Sequence, residues 1–187
     1  MLLHQTGPAV SLAQESARWH QQADAGMACV SIAAAGMPPF DGLLERVASS
    51  RACELNQPQL TQPLSPVWIA ACERSYNRLQ RTALRRLLAV SGGPLVDNLG
   101  LACSLPVDAL QIELHDAERE LVAALDRLPA YKALSLVLPQ PEQSAALAAQ
   151  LRSVHQRLGD RLWLAASDEG ELAHWAVEIG NPSSIAA

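Results

Sequence analysis

Apolar residues recur along this chain in two rhythms, and each change of rhythm marks an element. From Ser65 to Gly93 the spacing is three or four, which stacks Cys72, Tyr76, Leu79, Ala83, Leu87 and Val90 into one stripe. Ser65 can cap this run and Pro66 sits at a first helical position, where its missing N–H costs nothing. Gly92, Gly93 and Pro94 can close it. The pattern predicts one long amphipathic helix over about 66–91.

Beyond Pro106 the rhythm alternates. Leu110, Ile112 and Leu114 interleave with Gln111 and Glu113, the period of a half-buried strand. A helix follows over about 116–128, capped by Asp116, with Leu121, Val122, Leu125 and Leu128 on one side and Pro129 as its stop. Two more strands are expected at 133–138 and 161–166, and two more helices at about 142–158 and 169–179. Upstream, Ser11 and Gln14 suggest a capped helix to about Ala23, with Leu12, Trp19 and Ala23 inward. The run 27–34 reads as a buried strand, and Asp41 can start a helix to about Ser50. The stretch 95–106 fits a short helix or irregular packing equally well. Residues 1–10 and 181–187 read as loose tails, and 56–65, rich in proline, as a loop and the place for any hinge.

Strands separated by amphipathic helices are the signature of βαβ crossovers. We therefore expect an α/β protein: a small, mostly parallel sheet of about four strands, flanked by helices. The 187 residues should form a single domain over 1–187.

Composition narrows the function classes. Hydrophobic residues make up 49% and charged residues 18%, an ordinary globular balance, with only 4% aromatic. The core must then be aliphatic, with Trp19, Trp68, Trp163 and Trp175 as anchors. The mean hydropathy is +0.06, and no apolar run reaches the length of a spanning helix. With no secretion signal at the first residues, the expectation is a cytoplasmic protein without membrane insertion. Arginine carries nearly all the positive charge, Lys132 being the only lysine, which fits GC-rich, bacterial coding. A net charge of −5 gives no global attraction to nucleic acid, and no aromatic residues interleave the arginines, so nucleic acid is not expected as a partner. Cys29, Cys53, Cys72 and Cys103 form no C-x-x-C pair and are expected as buried thiols rather than metal ligands.

Candidate chemistry is sparse. Ligands in parallel sheets collect beyond the carboxyl ends of the strands. Those ends offer His115, Asp116, Gln140, Ser167, Asp168 and Glu169. His115, Asp116 and Asp168 are the candidate catalytic set, because histidine beside carboxylates can move protons or bind a metal. The competing reading makes Asp116 and either Ser167 or Asp168 helix caps, with His115 closing a strand at the surface. His4, His20, His155 and His174 lack the pairing that would hold zinc, and no metal site is expected. No G-x-G-x-x-G, P-loop or G-x-S-x-G motif is present, which argues against a dinucleotide enzyme, an ATPase and a serine hydrolase, and no cofactor is expected.

Arg74, Arg78, Arg81 and Arg85 repeat at helical spacing, with Arg86 beside them, and form the candidate partner-binding face. The first expectation is thus a non-catalytic adaptor, accessory or assembly protein working through a protein partner, with self-association open. The alternative is a small-molecule enzyme using His115, Asp116 and Asp168. A cleft at the strand ends would favour the enzyme; a broad exposed apolar patch would favour the adaptor.

Overall fold

A computed structural model of the chain describes residues 2–5, 29–33, 52–80, 85–95, 97–138, 145–166 and 169–180. Seven strands form one parallel sheet: β1 (Leu2–Gln5), β2 (Cys29–Ala33), β3 (Ala52–Asn56), β4 (Arg85–Val90), β5 (Ala109–Glu113), β6 (Ala133–Val137) and β7 (Leu162–Ala166). Their order in space is β1-β7-β6-β5-β4-β3-β2. From β2 to β7 each new strand joins the same growing edge, and β1 then lies beside β7. This singly wound order differs from a sheet whose strands run outward from a central switch point.

The described helices are α1 (Pro66–Leu79), α2 (Leu99–Ser104), α3 (Ala117–Arg127), α4 (Ala145–Leu158) and α5 (Glu169–Gly180). They cover one face of the sheet. In register across five strands, Leu55, Leu88, Leu110, Leu134 and Leu162 form a row with no exposed surface. Val90, Ile112, Leu136 and Leu164 form the next row. Cys72, Tyr76 and Leu79 of α1, Leu121 and Ala124 of α3, Leu151 and Val154 of α4 and Trp175 of α5 share one core cluster with these rows. The opposite face carries smaller and more polar groups: Leu87, Ala109, Ala133 and Trp163 form a second cluster, and Gln111 and Ser135 lie buried beside them. Ser135 Oγ donates to Gln111 Oε1 at 3.2 Å, which lets two polar groups stay in a dry layer.

The α/β class and the parallel sheet match the expectation, with seven strands in place of about four. Several expectations need correction. The helix expected over 66–91 ends at Leu79, and Arg85–Val90 is the inner strand β4, between β3 and β5. Leu87, Leu88, Ala89 and Val90 are all buried, which requires cover on both faces, as a strand inside a parallel sheet has. Residues 1–10 are not all loose tail, since Leu2–Gln5 pairs with β7. Ala52–Asn56, left unassigned from sequence, is β3. The loop 56–65 is fastened at several points. Gln57 N–H donates to Ala89 O at 2.9 Å, Leu60 is buried in a 3-10 turn, and Asn98 Nδ2 donates to Leu60 O and Gln62 O at 2.8 and 2.7 Å. The ambiguous stretch 95–106 contains the short helix α2. The helices expected over 11–23 and 41–50 and the tail 181–187 lie outside the described residues. Cys53, Cys72 and Cys103 are buried; burial, with Glu73 nearby, pushes Cys72 up to about 12. No helix among the described residues is long and apolar enough to cross a membrane.

Candidate functional site

The end of β5 and the start of α3 are built by one set of reciprocal hydrogen bonds. Asp116 caps α3 by accepting from Arg119 N–H at 3.5 Å, and Glu120 Oε2 reaches back to the N–H groups of His115 and Asp116 at 2.7 and 3.0 Å. These contacts satisfy donors that a helix start leaves unpaired and fix the direction of the chain leaving β5. Glu113, the last residue of β5, accepts from Gly92 N–H at 3.0 Å. That links the strand end to the turn after β4. Gly92 has φ +88° with no atom within 4 Å of an added Cβ, so glycine is needed there for its backbone freedom rather than for space.

A cavity of about 360 Å3 opens between these parts. Val90 and Ile112, at the ends of β4 and β5, line its apolar side with Leu95, Leu99 and Ala123. Its polar side is Glu113, His115, Asp116, Arg119, Glu120 and Arg127. Asp116, Arg119, Glu120, Ala123 and Arg127 recur every three to four residues, so one face of α3 supplies most of the wall. Asn98 carries part of the frame too, since tying 57–62 to the start of α2 holds Leu95 and Leu99 in place.

Within the cavity, His115 Nε2 lies 3.6 Å from Glu113 Oε2, and both side chains are partly exposed. A carboxylate beside an imidazole at a strand end can orient the ring and stabilise it when it takes a proton. Of the candidate catalytic set, the structure brings His115 and Asp116 to this wall, with Asp116 also serving as a cap. Asp168 lies outside the described residues. Gln140 and Ser167 do as well. Sequence reasoning missed Glu113, Arg119, Glu120 and Arg127 as site residues. Their signal was the helical spacing from Asp116 to Arg127, together with a glutamate in the last position of a strand.

The candidate partner face divides. Arg74 and Arg78 sit one turn apart on the exposed side of α1, whereas Arg85 begins β4 and Arg81 lies outside the described residues. Arg86 is engaged inside the molecule, its Nε 3.3 Å and its N–H 2.6 Å from Asp108 Oδ2. The four arginines therefore do not form one helix face. Strongly exposed large apolar side chains are scattered: Val67 on α1, Val122 on α3, Tyr131 before β6 and Val177 on α5. No group of three or more histidine, cysteine, aspartate or glutamate residues among the described ones could hold a metal.

The fold and this cleft together define a singly wound α/β protein with a pocket at the carboxyl ends of two central strands. The sequence matches no protein-family model.

Proposed function

We propose that the chain binds a small organic molecule in the cleft at the ends of β4 and β5, and that His115, oriented by Glu113, moves a proton on it. This is the small-molecule reading of the sequence, which named His115, Asp116 and Asp168, with Glu113 added beside His115 and with Asp168 outside the described residues. The observation that carries it is the His115–Glu113 pair, 3.6 Å apart, at the polar side of a cavity with an aliphatic back wall. An apolar recess with a few convergent polar groups is the common build of a ligand site. Asp116 is a cap that positions α3 rather than a reacting group.

The test is a small-metabolite library followed by protein-observed NMR for binding and by product detection for turnover. His115→Gln should leave the resonances of bound compounds at Leu95 and Ile112 shifted while cutting turnover by about 10²–10⁴-fold. Glu113→Gln should cut it by roughly an order of magnitude. Equal turnover in wild type and His115→Gln would remove the proton-transfer role.

An adaptor role keeps one observation of its own: Arg74 and Arg78 are exposed on α1 and form no ion pair among the described residues. If this face docks an acidic protein, Arg74→Glu with Arg78→Glu should weaken association by at least about tenfold while the melting temperature stays unchanged, with a steep salt dependence. Unaltered association of the double variant with every wild-type partner would leave α1 as a solvated face.

A further inference from the structure

The ligand class can be narrowed from the charges left unengaged in the cleft, an argument that rests on the cleft being a ligand site. Three acids line it, and each already has a partner within the protein. Glu113 takes the Gly92 N–H at 3.0 Å and faces His115 at 3.6 Å. Glu120 takes the N–H groups of His115 and Asp116, and Asp116 takes that of Arg119. The cations are engaged far less. Arg127 gives one Nη1 contact to Ala123 O at 3.3 Å. The Arg119 guanidinium makes no hydrogen bond or ion pair among the described residues. Arg119 and Arg127 lie eight residues apart on the wall-forming face of α3, with Glu120 and Ala123 between them, and Glu120 is turned back to the start of the helix by its two N–H bonds.

We infer that the cleft takes a small carboxylate with an apolar body, its carboxylate on Arg119 and its body against Val90, Leu99 and Ile112. Guanidinium presents paired N–H donors that match a carboxylate in bidentate fashion. The volume of about 360 Å3 is at the lower end for ligand pockets, which suits a compact acid rather than a nucleotide. The same three carboxylates that line the wall oppose a second negative charge, so a phosphate monoester, carrying about −1.5 to −2, fits the local field less well than a singly charged acid.

Isosteric series with three head groups give the test: 4-methylpentanoate, its amide and isoamylamine, then benzoate, benzamide and benzylamine, with acetate and phenyl phosphate as further arms. Binding to the intact chain is followed by amide chemical shifts of Gly93, Leu95 and Ile112. The expected order is carboxylate over amide over amine, with acetate weak for lack of a body and phenyl phosphate weaker than benzoate. Arg119→Gln, an exposed helical change that keeps the fold, should weaken the carboxylates by about tenfold or more and leave the amides unmoved. Amides or amines that bind as well as the acids, or acids indifferent to Arg119→Gln, would overturn the carboxylate assignment and leave the cleft as a site for another ligand. Shifts at none of these amides with any compound would overturn the assignment and the cleft reading together.

Discussion

Replacing Lys132 by methionine is expected to lower the unfolding free energy by about 2 kcal/mol at neutral pH, and the deficit should widen as the pH rises. Lys132 has no exposed surface, and its Nζ donates to Cys103 O and Leu105 O, both at 2.7 Å. These carbonyls belong to the last residues of α2 and the chain leaving it, where a helix has acceptors but no intrahelical donors. Methionine fills the volume and leaves both acceptors dry. The ammonium form itself is costly here: burial drives its pKa down to about 8, against an ordinary 10.5, although Cys103 and Asp108 pull the other way. Because the folded pKa lies below the unfolded one, the unfolded chain binds more protons between these values. Stability from this group therefore rises with pH across about 8 to 10.5. The neutral amine still has two donors for the two carbonyls, so nothing is lost on deprotonation. Wild type should gain on Lys132→Met by roughly 1.4 kcal/mol per pH unit inside this window.

The buried thiols of Cys72 and Cys103 and the Tyr76 hydroxyl have raised pKa values, chiefly from burial. They lower stability above about pH 9 in both proteins; Cys72 and Tyr76 cancel in the difference, whereas the Lys132 charge holds Cys103 down, so its loss raises Cys103 further and widens the deficit in the same direction. Urea titrations of both proteins at pH 7, 8.5 and 9.5 check the prediction. A deficit that stays flat or shrinks with pH would show that the amine is not held dry. As the only lysine, Lys132 also gives a single side-chain ammonium signal for a direct titration.

Trp175→Ala should cost about 3–5 kcal/mol, the largest effect of any single truncation considered. Trp175 heads the fully buried side chains and fastens α5 to the body of the protein. This helix packs on α4, β7 and β1, and Arg152 Nη1 adds one hydrogen bond to Glu178 O at 2.8 Å. Its neighbour His174 is exposed and meets the indole edge-on, with ring centroids 6.0 Å apart. Trp175→Phe should cost much less because it leaves a smaller cavity. Denaturant unfolding gives the stability change, and amide exchange should show α5 losing protection before the leucine row. A Trp175→Ala loss below about 1 kcal/mol would mean that α5 adds little to the core.

Much of the fold was legible because strong local patterns and tertiary demands agreed. Gln111 and Glu113 alternate with the buried Leu110 and Ile112, and Asp116 and Pro129 bracket α3, so β5 and α3 were readable almost to the residue. Arg85–Val90 was misread because its apolar positions also satisfy a helical period continuing from α1. Nothing within six residues separates a buried strand from another turn and a half of helix. Ala52–Asn56 was missed because Glu54 interrupts the apolar run, yet Glu54 is only 3% exposed in the sheet. The site followed the same division. His115 and Asp116 stood out as polar residues at a strand end, whereas the contact that fastens Glu113 to the turn after β4 comes from Gly92, 21 residues earlier in the chain.

By itself, then, the sequence determined the α/β class, the caps of α1 and α3 and the aliphatic nature of the core. Spacing, capping residues and prolines act over a few residues and need no distant partner to be read. Only the tertiary structure decided the singly wound strand order, the strand identity of 85–90 and the meeting of Val90, Leu99, Ile112, His115 and Arg119 around one cavity. Those depend on which strands lie side by side, and that is fixed by burying the leucine rows on both sides of β5 at once.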